Sequence, residues 1–157
     1  MKTVVIILTK SIVFFVTLFI LYFFLFEEFK TPFLLKKIIF PSVVLSVILT
    51  IFHVTIAKKV GVTNNFSVYQ SININKYLEQ EKVITKVKNL TDWTLIKRND
   101  EKLIFRNNCS SLKSFGEIIT ISFTDRQTKI SSKPILFTTI FDFGKNYENI
   151  SLIQSNL

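Results

Sequence analysis

Two long apolar segments constrain the fold of this chain more than any other feature of its sequence. The first runs from Val4 to Phe26 and contains one charged residue, Lys10, and the second runs from Ile38 to Ala57 between two pairs of lysines. A helix rises about 1.5 Å per residue, so each segment can cross a hydrocarbon core of about 30 Å. The sequence therefore predicts two transmembrane helices, at about 4–26 and 38–57.

The connection between these segments is short. Residues 27–37 include Pro32 and are too few to form a domain, so residues 1–59 are expected to form an antiparallel transmembrane hairpin with both ends on one side. Pro41 falls in the first turn of the second helix, where a missing N–H costs little, and is expected to mark the start of that helix. A secretory signal peptide is the rival interpretation of the first segment, but the second segment favours uncleaved insertion.

The flanking positive charges predict the orientation of the hairpin. The connection carries three basic residues, Lys30, Lys36 and Lys37. The opposite side carries five positive groups, namely the terminal amine, Lys2, Lys10, Lys58 and Lys59. The side richer in Lys and Arg usually stays inside the cell. We therefore expect a protein of the cell membrane with two spans, whose termini and C-terminal domain are cytoplasmic. The single Cys109 fits a reducing compartment without requiring it.

Residues 60–157 differ from the hairpin in composition, with alternating strands and amphipathic helices. Strands are predicted within 66–74 and at 93–98, 102–106, 117–123, 128–132 and 135–143. A helix is predicted from an Asn75 cap to Leu90, and a closing helix after an Asn146 cap. The order β-α-β-β-β-β-β-α predicts a small two-layer α+β domain with a mainly antiparallel sheet that is soluble and folds alone.

The alternation also predicts which side chains form the core of this domain. The expected core residues are Trp93, Leu95, Leu103, Phe105, Ile119, Ile121, Phe123, Phe137, Phe141 and Ile150.

Catalytic and cofactor-binding motifs are sparse. One His and one Cys exclude the usual His/Cys zinc clusters, and three Gly exclude a dinucleotide fingerprint and a P-loop. Asp142-Phe143-Gly144 matches a kinase triplet by chance, since the other kinase motifs are missing. The carboxylates Asp92, Glu117, Asp125 and Asp142 fall on separate elements and are interpreted as solvated. The sequence predicts no catalytic, cofactor-binding or metal-binding residue, and no enzyme.

Two ionisable residues, Lys10 and His53, fall inside the apolar segments, where a charge is costly and is a functional candidate by default. In an antiparallel hairpin both would lie at similar depth below the same surface and could face each other. The structural alternative is that Lys10 extends to the surface and that a neutral His53 bonds a hydroxyl such as Ser11.

The net charge of +9 points to the membrane surface. Six basic residues are candidates for contact with the lipid surface. They lie at the end of the transmembrane hairpin and in the first predicted β-hairpin of the domain: Lys58, Lys59, Lys97, Arg98, Lys102 and Arg106. Anionic lipid head groups explain this charge economically, and no nucleic-acid partner is expected because the domain has no recognisable nucleic-acid module. A solvated β-hairpin is the alternative interpretation.

Two hypotheses for function follow. The first is a non-enzymatic integral membrane protein whose partners are the lipid bilayer and an unidentified protein, and whose domain serves interaction or sensing. The second is a small accessory subunit of a transporter or channel that uses Lys10 and His53 within the membrane. No cofactor is expected in either case.

Overall fold

The computed structural model describes residues 2–26, 33–108 and 115–157. In this part of the chain four helices and five strands follow in order. They are α1 (Lys2–Phe26), α2 (Phe33–Lys59), β1 (Gln70–Ile74), α3 (Gln80–Leu90), β2 (Thr94–Asn99), β3 (Lys102–Asn107), β4 (Glu117–Phe123), β5 (Thr128–Pro134) and α4 (Lys145–Gln154). The predicted α+β class, with two long apolar helices at the N-terminus, is confirmed.

α1 and α2 pack side by side, and both are long and apolar enough to cross a membrane. Of the connection predicted at 27–37, residues 27–32 lie outside the described part of the chain. α2 begins at Phe33, so the prediction that Pro41 marks its start is wrong, and Pro41 lies inside the helix. The hydroxyl of the next residue, Ser42, donates to the carbonyl of Ile38 at 2.6 Å. The reason for the error is that the helix continues through residues 33–37, although two of them are lysines.

From Ser42 onward the buried face of α2 is made of small or polar side chains at helical spacing, whereas Ile38, one turn earlier, is a buried apolar residue. The small or polar members are Ser42, Ser46, Thr50, His53 and Ala57. Small side chains let two helices approach closely, which is the usual basis of helix packing in membranes. The hydroxyls of Ser11 on α1, Ser46 and Thr50 make no hydrogen bond within the described residues.

The five strands form one antiparallel sheet in the order β1-β5-β4-β3-β2. The β2–β3 hairpin and the bounds of β4 agree with the prediction. The predicted strand at 135–143 is wrong, because this described segment forms turns and irregular backbone. β5 already pairs with β4 on one side and with β1 on the other, so the segment that follows β5 cannot fold back beside it.

α3 also starts later than predicted. Residues 75–76 form a bend and residues 77–79 form irregular backbone before the helix. The Thr128 hydroxyl holds this segment, because it accepts from the Leu78 N–H at 3.2 Å and donates to the Lys76 carbonyl at 3.0 Å. Asn75 therefore does not cap the helix.

The main core lies between one face of the sheet and the helices α3 and α4. Its buried members are Leu78, Val83, Ile84, Val87, Trp93, Leu103, Phe105, Ile119, Ile121, Phe123, Ile130, Ile150 and Ile153. Two predicted core residues do not belong to it. Phe137 is 96% exposed, and Phe141 packs in a second cluster beside α2. Both belong to the segment wrongly predicted as a strand.

Candidate functional site

His53 connects the helical hairpin to the C-terminal domain. Its ring lies in the last third of α2 and is 1% exposed. The Phe143 N–H donates to His53 Nδ1 at 3.1 Å, and His53 Nε2 lies 2.8 Å from the Phe66 carbonyl oxygen. Because Nδ1 accepts a hydrogen bond, the ring proton of the neutral imidazole is on Nε2, which donates to Phe66. His53 thus bonds both segments of the domain that lie against α2.

Asp142 fixes the loop that contacts His53. Its side chain is almost fully buried, and its carboxylate accepts hydrogen bonds from the Gly144 N–H at 3.2 Å and the Asn146 N–H at 3.1 Å. These donors lie at the start of α4, where the helix dipole favours a negative charge. Asp142 Oδ1 also lies 3.9 Å from His53 Nδ1. The carboxylate therefore orders the backbone that presents the Phe143 N–H to His53.

Gly144 allows α4 to approach α2 closely. It has a left-handed φ of 82° at the start of α4. A Cβ at this position would overlap Val60 Cγ2 and lie 3.1 Å from Ala57 Cα. Phe143 is also left-handed, with φ of 50°, a conformation that non-glycine residues adopt infrequently. The backbone of 143–144 is therefore shaped by the contact with α2.

Apolar side chains surround this contact. The rings of Phe141 and Phe143 lie 5.8 and 5.9 Å from the His53 ring. The buried members of the cluster are Ile7, Ala57, Val62 and Phe66, and the partly buried members are Val4, Val54, Val60, Ile140, Phe141 and Tyr147. We call these residues, together with His53, Asp142, Phe143 and Gly144, the junction.

A chain of buried polar side chains runs from the junction into the domain. Asn146 Nδ2 donates to Asp142 at 2.8 Å, and the Ser132 hydroxyl donates to Asn146 Oδ1 at 2.6 Å. Asn149 Nδ2 lies within 3.3 Å of the Ser132 hydroxyl and 3.4 Å of Glu117 Oε2. All five side chains are almost fully buried. Hydrogen-bonded networks of this kind fix a single arrangement of the elements that contribute to them.

The polar groups of the junction are bonded to one another within the described residues. Both nitrogens of His53 bond backbone groups, and the Asp142 carboxylate accepts from backbone N–H groups. Within residues 2–26, 33–108 and 115–157, no group of three or more His, Cys, Asp or Glu side chains is arranged to hold a metal ion.

Lys10 and His53, the two ionisable candidates of the long apolar helices, occupy different environments. Lys10 is exposed on α1, whereas His53 is buried and bonds Phe66 and Phe143 rather than Ser11. The structure therefore does not bring Lys10 and His53 together as a polar pair.

The candidates for lipid contact lie in three places: the end of α2, the helical side of the sheet and the opposite face of the sheet. Lys58 and Lys59 are exposed at the end of α2. Arg98 forms an ion pair with Glu81 of α3 at 2.6 Å. On β3, Leu103 and Phe105 are buried against the helices, so Lys102 and Arg106 lie on the opposite face of the sheet. Lys97 pairs with Ile104, which shares that opposite face.

Sequence reasoning missed the acidic and amide residues of the network. Asp142 and Glu117 were expected to be solvated, but they are 1% and 0% exposed. The one available signal was local. Asp142 precedes Gly144 by two residues and Asn146 by four, the spacing of a side chain that bonds backbone N–H groups at a helix start.

Comparison of the chain with protein-family models, with curated proteins and with solved structures found no match.

Proposed function

We propose that this protein is a non-enzymatic integral membrane protein whose C-terminal domain serves interaction or sensing at the membrane surface. The observation that carries the proposal is the His53 contact, through which α2 bonds two separate segments of the domain. A domain held in this way transmits displacement or rotation to the helices, whereas a domain on a free linker does not. The lipid bilayer and an unidentified protein are the proposed partners.

The proposal places the chain in the cell membrane with both termini in the cytoplasm. Its support is the excess of positive charge on the side of the termini. The test is thiol labelling of intact cells with an impermeant reagent, in a Cys109→Ser background. A Cys at Asp125 in the domain should react only after permeabilisation, and a Cys at Thr31 in the connection should react before it. The opposite pattern would reverse the orientation.

The alternative, an accessory subunit of a transporter or channel, has less support. It uses Lys10 and His53 within the membrane, but both nitrogens of His53 are engaged by the backbone, and Lys10 is exposed on α1. Replacing Lys10 by Gln distinguishes the two hypotheses. Only the accessory-subunit hypothesis predicts that this change lowers the transport or channel activity that the subunit supports.

Partner capture from native membranes tests the interaction role. The tagged full-length chain is cross-linked in cells, and its bound proteins are quantified for the native sequence, for Gly144→Val and for Asp125→Ala. We expect specific partners that Gly144→Val reduces, because Val at a left-handed position facing Ala57 disrupts the junction. Asp125→Ala, an exposed change in a turn, should keep them. Identical partner sets in all three samples would contradict a role for the docked domain.

A further inference from the structure

One end of the sheet carries apolar side chains that the domain leaves exposed. Phe137 is 96% exposed, Phe115 is 71% exposed and Leu136 is 44% exposed. Phe115 precedes β4, whereas Leu136 and Phe137 follow β5. The Ile135 N–H donates to the Gly116 carbonyl at 3.0 Å, so the two segments lie side by side. We call Phe115, Leu136 and Phe137 the apolar tip.

The apolar tip lies at the end of the sheet that is joined to the helices. Gln70, at the start of β1, pairs with Ser132, near the end of β5. The start of β1 and the end of β5 therefore lie at the same end of the sheet. The chain enters β1 from Phe66 and leaves β5 toward Phe143, and both residues bond His53 of α2. The apolar tip therefore emerges from the same end of the domain as the junction.

Basic side chains lie beside the apolar tip. Arg106 pairs with Ile118, and Ile118 pairs with Lys133, so the three occupy one row across the sheet. This row is one residue from Glu117 and Pro134, where β4 begins and β5 ends. Its residues face away from the helices, because the neighbouring Ile119 and Ser132 are buried on the helical side. Exposed aromatic groups next to Lys and Arg match the interface of an anionic bilayer, with apolar acyl chains below acidic head groups.

We propose that the apolar tip inserts into the interfacial layer of the same bilayer that holds α1 and α2, with Arg106 and Lys133 against the lipid head groups. The domain then has a second contact with the membrane besides the junction, and this contact fixes its tilt. The inference goes beyond the proposed function, and it rests on that function only for the insertion of the two helices.

Depth-dependent quenching tests the insertion. The full-length chain with Cys109→Ser is reconstituted in vesicles of mixed neutral and anionic phospholipid, a fraction of them carrying a nitroxide on the acyl chain. An environment-sensitive fluorophore is attached to a Cys at Phe137 or, to keep Phe137 in place, at Leu136. Leu18, exposed in the middle of α1, is the membrane control. Asp125, in the turn at the opposite end of β4 and β5, is the aqueous control.

We expect labels at 136 and 137 to emit at shorter wavelength than the label at 125 and to be quenched severalfold more by the lipid nitroxide. If both behave like the label at 125 while the label at Leu18 is quenched, the proposed insertion is wrong and the membrane location stands. If the label at Leu18 is also unquenched, the membrane location itself is wrong. If labels at 136 and 137 emit at shorter wavelength in native membranes but not in vesicles of pure lipid, a protein partner covers the apolar tip. That result would overturn the proposal.

Discussion

At the scale of single residues, His53 determines how the domain meets α2. Its two nitrogens satisfy a carbonyl and an N–H that are distant in the sequence. A buried backbone group left without a partner costs about 1–3 kcal/mol. The His53 imidazole therefore stabilises the contact between α2 and the domain by more than the burial of its apolar area alone would.

Replacing His53 by Ala should loosen the junction. We expect the amide of Phe143 to exchange with solvent roughly tenfold faster or more, because a loss of about 1.4 kcal/mol is a factor of ten in an equilibrium. Hydrogen exchange with mass spectrometry on the full-length protein in lipid nanodiscs measures this. Phe52→Ala, an exposed change on the same helix, is the control. Equal exchange in the two variants would mean that His53 does not hold the loop.

Gly144 and Gly61 provide a matched pair of substitutions. Both have positive φ, so Ala is strained at either position. At Gly61 the new methyl group meets the Tyr147 ring at 3.3 Å, whereas at Gly144 it meets the backbone of Ala57 at 3.1 Å and overlaps Val60. A side chain can move aside more easily than a helix backbone. Gly144→Ala should therefore lower the Tm of the full-length protein more than Gly61→Ala, and an equal or reversed order would contradict the close approach of α4 to α2.

At the scale of elements, burial decides which residues of the sheet matter for stability. Ile121 is central in β4 and 0% exposed, so Ile121→Ala should cost about 2–5 kcal/mol. Lys102→Ala and Phe137→Ala should each cost under about 0.5 kcal/mol, because neither residue lies in the core. Urea unfolding of residues 60–157 without lipid, followed by Trp93 fluorescence, compares the free energy of unfolding of the three variants. A larger loss for Phe137→Ala than for Ile121→Ala would mean that the core is assigned wrongly.

Elements with a local pattern could be predicted from the sequence. The two apolar helices, the β2–β3 hairpin and β4 follow from composition and alternation within a few residues. The segment 135–143 also alternates, but whether it forms a strand depends on a free sheet edge, which its own residues do not encode. The late start of α3 depends on Thr128, which is remote in the sequence.

The candidate site was only half predictable for the same reason. His53 was identified because an ionisable residue in an apolar segment is unusual. Its partners are the backbone of Phe66 and Phe143, and backbone groups leave no signal in residue type. Asp142 and Glu117 are ordinary carboxylates until the fold buries them. The tertiary contacts, not the residue types, define this site.

At the scale of the whole molecule, the described part of the chain contains two buried apolar clusters with different roles. The main core draws only on residues within 60–157, so independent folding of the domain stays a prediction that this core supports. The second cluster joins residues of α1 and α2 to the domain. The central claim is that this second cluster and His53 hold the domain in one orientation on the helices.

The most direct test is the distribution of distances between α2 and the domain. Spin labels are placed at exposed Thr55 on α2 and exposed Asp125 in the turn after β4, in the full-length Cys109→Ser protein in nanodiscs, and the distances are measured by pulsed electron paramagnetic resonance. We predict one narrow distribution, which broadens when His53 is replaced by Ala. A broad distribution with native His53, unchanged by the substitution, would contradict the docked domain.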